Sequence, residues 1–399
     1  MKRRRRRRSK VPKILLLLLC ILLGTVATIA CKADLRQTVQ AETIPFQENK
    51  ISEEALTDKY YYQQLTEEEQ IVYKEISQGL ENVEEEIYVH SSDGKLVNRI
   101  FTDVMNDSPE LFWCDGSAQT SSYEQQLNTG AYSIVKPNYT YTGEERENRQ
   151  NQIDAAVEEI MGQISMDSQE YDKIKFVFDT LVNQTDYNLD APDNQNIYSV
   201  FVNKVSVCAG YSKATQYLLE KMGVFCTYVT GRIPEQGAHA WNLVRCDGTY
   251  YYVDTTWGDP VFQQEENEPV VDMSNINYDY LCCDDTELFK THTLDEDMVM
   301  PACTSMDRNY YVMNGLYYES YDSQQILKAM NDTIYSGGEQ TVFKFASDEV
   351  YNEAHDPIIS ELIPTALDNL ALAYDLSQVQ YSYVEDSDSD KFVIVWSYE

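Results

Sequence analysis

The sequence predicts an α+β fold in which one helix packs on an antiparallel sheet, and three observations lead to it. Apolar side chains recur at helical spacing over residues 207–222. Two alternating segments, 240–246 and 249–253, flank Asp247-Gly248, and such a pair is the strongest short signal for a β-hairpin. After about residue 298, short Tyr-rich strands and two helical segments, Ser323 to Asn331 and one between Ser347 and Tyr374, predict a small C-terminal α+β appendage.

Five regions follow one another along the chain. Its 399 residues exceed one typical domain, and with 12% aromatic residues the composition is that of a folded protein. In order, we predict a signal or anchor segment (1–31), a flexible linker (32–60), an N-terminal helical and strand region (61–165), a motif-bearing core (166–297) and a C-terminal α+β region of unassigned role (298–399).

The N-terminal segment predicts export. Nine of the 31 Lys and Arg residues lie within residues 1–13, directly before the apolar stretch Ile14–Ala30, and this order keeps the leader inside and sends the body out. Cys31 follows Thr28-Ile29-Ala30 in a loose likeness of a lipoprotein cleavage site. A cleaved signal, a lipidated Cys31 and a retained membrane anchor remain open, and each predicts an extracellular or cell-surface protein.

Charge excludes two classes of partner. The net charge of −35 belongs to a body that is more acidic still once the basic leader is set aside. Such a surface repels nucleic acid and anionic lipid headgroups. We therefore predict no nucleic-acid partner, and membrane contact through the N-terminal segment only. The sequence gives no indication of the oligomeric state.

Two helix starts can be predicted from capping patterns. Thr66, with Glu69 three residues later, forms a capping box ahead of helically spaced apolar residues. Ser206 is placed to cap a helix that we expect from about Val207 to Met222. Cys208 then lies in the first turn, where unpaired N–H groups and the helix dipole favour an anion.

The hairpin turn predicts which side chains meet. If Asp247-Gly248 closes a two-residue loop, Trp241 lies opposite Asp254, and His239 projects from the same face as Trp241. His239 and Asp254 then become diagonal neighbours with Cα atoms about 7–8 Å apart. One hydrogen bond between the two side chains can span that gap.

A thiol, an imidazole and a carboxylate therefore form one predicted constellation. Cys208 would supply the nucleophile and His239 the base, and Asp254 would orient the ring, which is the arrangement that thiolate acyl transfer requires. Each residue alone is a weak indication, because most such residues in these contexts are structural. The shared face of the hairpin, and the room left by Gly210 and Gly237, favour a joint site.

The remaining histidines and cysteines are predicted to carry no chemistry. His90, His292 and His355 lie beside polar residues and are expected to face solvent. Between the Cys282/Cys283 pair and Cys303, a local disulfide and a purely apolar role both remain open. Because the chain lacks CxxC spacing and a Gly-rich phosphate loop, we predict no metal, nucleotide or other cofactor.

Around these residues the chain resembles the transglutaminase-like superfamily, whose fold is related to that of papain-like cysteine peptidases. The likeness runs from about Tyr171 to Asp295 and is greatest to exported bacterial members. The matching segments are Val207–Ser212, His239–Asn242 and Tyr252–Trp257. The resemblance implies a transglutaminase-like catalytic core at 166–297 and, as its nucleophile, base and acid, Cys208, His239 and Asp254.

The resemblance also implies a function. The implied protein is an exported or surface-anchored acyl-transferase or hydrolase that forms a thioester on Cys208. Protease, amidase and cross-linking activity stay open, with protein or peptide substrates that include cell-surface or cell-wall peptides. The backbone N–H of Cys208 is one candidate oxyanion donor and the Tyr198 hydroxyl another. The alternative is an inactive transglutaminase-like module for surface binding or adhesion.

Overall fold

A computed structural model describes residues 44–125, 130–259, 276–376 and 380–398. The predicted signal or anchor segment, with the lipidation candidate Cys31, lies outside the described residues. Within the part of the chain that is described, no helix is both long and apolar enough to span a bilayer.

The structure alternates helices with short sheets. The helices are α1 (Tyr60–Gln63), α2 (Glu67–Glu81), α3 (Gly94–Asp107), α4 (Gly143–Met161), α5 (Glu170–Gln184), α6 (Cys208–Lys221), α7 (Asp285–Leu288), α8 (Tyr310–Met313), α9 (Ser323–Tyr335), α10 (Asp348–Pro357) and α11 (Ile363–Tyr374). A 3-10 turn spans Glu54–Leu56, and π-helical turns span Ser199–Asn203 and Ile358–Leu362.

Fourteen strands are formed by the described residues. They are β1 (Ile87–Val89), β2 (Cys114–Tyr123), β3 (Tyr132–Tyr139), β4 (Asp186–Tyr187), β5 (Val205–Ser206), β6 (Cys226–Ile233), β7 (Gly237–Cys246), β8 (Thr249–Val253), β9 (Leu281–Cys283), β10 (Thr293–Leu294), β11 (Tyr317–Tyr318), β12 (Gln340–Phe345), β13 (Gln380–Asp386) and β14 (Lys391–Ser397).

The central sheet has the strand order β10-β6-β7-β8-β9, and every neighbouring pair in it is antiparallel. Helix α6 packs on its strands β6 and β7. The contact is partly polar, because Asn242 donates its side-chain N–H to the Ser212 carbonyl at 3.0 Å and Ser212 donates its hydroxyl to the Ala240 carbonyl at 2.9 Å. The predicted α+β class, with one helix on an antiparallel sheet, is confirmed.

Residues 44–60, which the sequence assigns to the flexible linker, pack against the folded body in the structure. Leu56 is buried in the main apolar core. Lys59 donates to the Asp107 carbonyl at 2.5 Å, and the buried Asp107 carboxylate accepts the backbone N–H groups of Tyr61 and Tyr62. A charged network of this kind is invisible to composition, which records only that the segment is polar.

The C-terminal region has its own sheet, in the order β11-β12-β14-β13, and its own apolar core. Helices α9 to α11 cover that core, whose largest buried side chains include Phe343, Phe392 and Trp396. The predicted C-terminal α+β appendage is confirmed as part of the fold class.

Helix α6 begins at Cys208 itself. Its N-cap is Val207, whose backbone is extended and whose side chain makes no cap. Ser206 lies in β5, paired with Tyr187 of β4, and its hydroxyl bonds the Ser199 hydroxyl at 2.6 Å. The prediction that Ser206 caps the helix is wrong, because strand pairing already uses this residue.

Replacing Gly210 with alanine should lower the free energy of unfolding by about 1–3 kcal/mol, the usual range for overpacking. An added Cβ would lie 1.9 Å from the Ser206 hydroxyl oxygen and 3.0 Å from the Asn194 carbonyl oxygen. Urea denaturation followed by circular dichroism measures the change. Gly94→Ala is the matched control, since it too lies in a first helical turn and its Cβ would meet only the Ser122 hydroxyl, at 3.1 Å. Equal losses at both positions would contradict the close packing around Gly210.

Candidate active site

The hairpin that carries two of the predicted residues has the predicted register. Cys246 pairs with Thr249, so Asp247-Gly248 is a two-residue loop, and both residues have positive φ, 51° and 83°. Asn242 pairs with Val253, and continuing that register sets Trp241 opposite Asp254. Positive φ at both positions is what a type I′ turn requires, which explains the Asp-Gly sequence.

His239 and Asp254 meet as the register requires. Nε2 of His239 lies 2.6 Å from Oδ2 of Asp254, and both side chains are almost fully buried. Oδ1 of Asp254 accepts the backbone N–H groups of Thr256 at 2.9 Å and Trp257 at 3.2 Å. The carboxylate is therefore held on both oxygens and cannot rotate without breaking hydrogen bonds.

Cys208 completes the arrangement from the other side of the ring. Its thiol is a hydrogen-bond partner of His239. Because Asp254 occupies Nε2, Nδ1 is the ring nitrogen left for the thiol. Cys208 is half-buried, whereas the other six cysteines among the described residues are buried. The structure thus brings together the three residues that the sequence predicted, and Cys208 is the one partly exposed cysteine among the described residues.

The charges of His239 and Asp254 stabilise each other. Burial alone disfavours a charged ring, but the Asp254 carboxylate, with a contribution from Cys208, raises the pKa of His239 to about 10. Burial likewise opposes ionisation of Asp254, yet His239 and His292 hold the pKa of that carboxyl well below its usual range. At neutral pH the site therefore contains an imidazolium between the Asp254 carboxylate and the Cys208 sulfur.

His292 is the functional neighbour that sequence reasoning missed. It was predicted to face solvent, but its side chain is fully buried and its Nε2 lies 3.0 Å from Oδ2 of Asp254. The prediction is wrong because the His292 ring turns inward against Trp241 and Tyr280, although its sequence neighbours Lys290 and Thr293 are exposed. For the other two histidines, the structure leaves His90 half exposed beside Glu75 and His355 partly buried between Asp356 and Glu385.

Tyr198 does not reach the thiol region. Its hydroxyl donates to the Gln152 side chain at 2.6 Å, and the Arg149 guanidinium lies 4.3 Å from its ring centroid. Tyr187 lies nearer, on β4 opposite Ser206 and next to the α6 start. Burial raises the pKa of Tyr187 to about 12, and the charges of Cys208 and Asp254 add to this effect. No motif marks Tyr187, so only the β4–β5 pairing places it here.

The clustered donors do not form an open metal site. Ligand atoms of His239, Asp254 and His292 all lie within 4.8 Å of one another. However, Oδ2 of Asp254 already accepts a hydrogen bond from each ring. A cation would have to break both bonds, so the cluster is a hydrogen-bonded unit rather than a prepared ligand set.

Of the two alternatives for the Cys282/Cys283 pair and Cys303, the disulfide is not formed, and all seven cysteines of the described ranges are free thiols. Cys283 and Cys303 lie in the apolar cluster around Trp241, so the apolar alternative describes them. Burial raises the pKa of the Cys303 thiol and raises that of Cys246 to about 12. These thiols are therefore shielded and stay protonated at neutral pH.

Comparison with known proteins agrees with this geometry. Residues 154–255 match the model of the transglutaminase-like superfamily. No curated protein matches the chain. The match shows a transglutaminase-like fold in the part of the chain that carries Cys208, His239 and Asp254.

Three solved structures are similar to part of the chain. A TGase is 16% identical, with a TM-score of 0.27 over 47% of this chain and 55% of that protein. A candidate cysteine protease from Cytophaga hutchinsonii is 13% identical, with a TM-score of 0.23 over 35% and 62%. The periplasmic domain of TgpA from Pseudomonas aeruginosa is 15% identical, with a TM-score of 0.21 over 36% and 66%. The chain spans less than two thirds of each protein, and their activities do not transfer at this level of similarity.

Proposed function

Residues 154–255 form a transglutaminase-like core, and we propose that this chain is a cysteine-dependent acyl-transferase or hydrolase that works through a thioester on Cys208. The observation that carries the proposal is the unbroken series of contacts from the Cys208 thiol through His239 to Asp254. A thiol beside a buried imidazolium is poised to react as thiolate.

The first half of the reaction forms the thioester. The Cys208 thiolate attacks the carbonyl carbon of a carboxamide or peptide bond, and the electron pair of the C=O bond moves onto oxygen. N–H groups in the first turn of α6 face the developing oxyanion. As the intermediate collapses, the C–N bond breaks and the His239 imidazolium gives its proton to the leaving amine.

The second half resolves the thioester. Water or a second amine attacks the acyl carbon and loses its proton to the now neutral His239. The C–S bond breaks and restores the thiolate–imidazolium pair. Throughout, Asp254 keeps the ring in one orientation and stabilises its charged form. Water yields protease or amidase activity, whereas an amine yields cross-linking.

We place this activity outside the cytoplasm, on protein or peptide substrates that include cell-surface or cell-wall peptides. The basic residues before Ile14–Ala30 support export, and the acidic composition of the body suits a solvent-exposed setting. A membrane-anchored form, a lipoprotein on Cys31 and a processed form differ in the mass and N-terminus of the mature chain. Intact mass measurement of the protein from its native host distinguishes them.

Thiol alkylation tests the proposal without a known substrate. At pH 6.5 iodoacetamide should label Cys208 faster than any other cysteine, because the others are buried and their pKa values are raised. His239→Ala should slow Cys208 labelling about 10- to 100-fold, since only about 1% of an ordinary thiol is ionised at this pH. Peptide mass spectrometry reads each site separately.

His355→Ala is the control for loss of a histidine, because His355 lies in the C-terminal region and pairs with Asp356 and Glu385. It should leave Cys208 labelling unchanged. Slow and equal labelling of all seven described thiols in the wild-type protein would overturn the proposal and favour the binding or adhesion module instead.

A further inference from the structure

We propose that His292 is a positioning residue that orients Asp254 toward His239, so that one carboxylate serves two histidines. The inference rests on the proposed function, because it concerns the same site. It assigns His292 no contact with the substrate.

The contacts of Asp254 carry the proposal. Oδ2 accepts from Nε2 of His239 at 2.6 Å and from Nε2 of His292 at 3.0 Å. Oδ1 accepts two backbone N–H groups, from Thr256 and Trp257. Without His292, Oδ2 would keep a single partner, and that partner is the ring that must change its protonation state during the reaction.

The far side of His292 is also hydrogen-bonded. Its Nδ1 lies 2.8 Å from the Thr291 hydroxyl, which lies 2.8 Å from the Tyr280 hydroxyl. A consistent proton arrangement has Tyr280 donating to Thr291, Thr291 donating to Nδ1, and Nε2–H donating to Asp254. In this arrangement both ring nitrogens of His292 are held, so its Nε2–H stays directed at Asp254.

Aromatic rings enclose His292. Their centroids lie 5.1 Å (Trp241), 5.2 Å (Trp257) and 5.2 Å (Tyr280) from the centroid of its ring. The titratable groups that face it are Asp254, His239 and Tyr280. A fully buried ring in such a box excludes water from the far side of the carboxylate, which strengthens each hydrogen bond to it.

A glycine lets His292 come this close. Strand β10 pairs with β6 through Thr293 opposite Arg232 and Leu294 opposite Gly231, and Gly231 in turn pairs with His239 on β7. A Cβ at Gly231 would lie 2.1 Å from the Thr293 carbonyl oxygen. Only glycine therefore allows β10, which His292 directly precedes, to approach the strand beside His239.

The C-terminal region contacts the residues that precede His292 in the chain. Lys344 of β12 forms a buried ion pair with Glu287 of α7, and Lys290 pairs with the buried Asp390 at 2.7 Å. Both contacts fall within the few residues before His292. The C-terminal region thus helps to fix the backbone from which His292 reaches Asp254.

Three variants test the inference through the pH profile of Cys208 alkylation. His292→Leu should slow labelling about 10-fold at pH 6.5 and move the profile upward by about one pH unit, the shift that equals a tenfold change in ionisation. His292→Gln should restore most of the rate, because its amide N–H can reach the Nε2 position. Leu288→Ala removes a buried side chain of the same segment, so it should lower stability and leave the profile in place.

Two outcomes would overturn the positioning role. One is a His292→Leu profile identical to wild type, and the other is an equal shift in Leu288→Ala, which would mean that any loss of packing has the same effect. If His292→Leu does not fold, His292→Asn replaces it, since its amide falls short of Asp254. Should wild-type Cys208 itself fail to label faster than the other thiols, the proposed function fails, and that result is separate from the comparison between variants.

Discussion

The Cys208→Ala protein should lose at least about 10³- to 10⁴-fold of its turnover, the size of loss expected when the nucleophile of such a triad is removed. No neighbouring group can replace the thiol, because His239 and Asp254 only move and hold protons. The side chain lies half-buried at the start of α6 and is small, so the free energy of unfolding should change by no more than about 1 kcal/mol. Release of fluorescent peptides from labelled casein and incorporation of a fluorescent amine into casein measure the two possible outcomes of the thioester.

Cys246→Ala is the matched control. Cys246 is buried at the hairpin end, far along β7 from His239, so its loss should cost stability and spare turnover. Activity that survives in Cys208→Ala, or falls equally in both variants, would refute the thioester mechanism.

Removing the Asp254 carboxylate should be the most destabilising single change at the site. Asp254→Ala leaves the N–H groups of His239, His292, Thr256 and Trp257 without their common acceptor in a buried setting. Breaking a buried charge pair from one side typically costs about 3–5 kcal/mol. Asp254→Asn keeps the shape of the side chain but not its charge. We expect it to lose turnover by about the same factor as Asp254→Ala, and to lose less stability than that variant.

The pH dependence of stability provides the decisive measurement. The folded-state pKa of His239 is raised to about 10, so its contribution is complete below the ordinary histidine pKa of about 6.5 and disappears as pH rises toward 10. The folded-state pKa of Asp254 is lowered, so its contribution is present above about pH 4 and is lost as pH falls. The raised pKa of His239 and the lowered pKa of Asp254 arise from the same ion pair, so its stabilising free energy is counted once. Wild type should therefore be most stable between about pH 4 and 6.5 and lose stability toward pH 10.

In Asp254→Asn the decline between pH 6.5 and 10 should disappear, as followed by urea denaturation across that range. Asp259→Asn is the control. Asp259 lies in the same loop as Asp254, and its buried carboxylate accepts the Tyr211 hydroxyl at 2.9 Å. It should retain the wild-type decline. An unchanged alkaline decline in Asp254→Asn would show that the ion pair does not govern the stability of the site.

Local sequence determined the hairpin and, through it, half of the site. Asp247-Gly248 admits the two positive φ angles of the turn, and the two-residue period of a strand then sets His239 on the same side as Asp254. The start of α6 was predictable from the helical spacing of its apolar residues, although its N-cap is Val207 and not Ser206. Such features depend on neighbours a few positions apart, which a sequence displays directly.

Only the tertiary structure decided which distant residues join that hairpin. His292 reaches Asp254 because Gly231 admits β10 at the sheet edge and because ion pairs from the C-terminal region hold the preceding residues. Tertiary packing elsewhere buries six of the seven described cysteines as free thiols and sets the Tyr198 hydroxyl against Gln152. These contacts join residues far apart in the chain, and their energy depends on burial and on partners that no local pattern encodes.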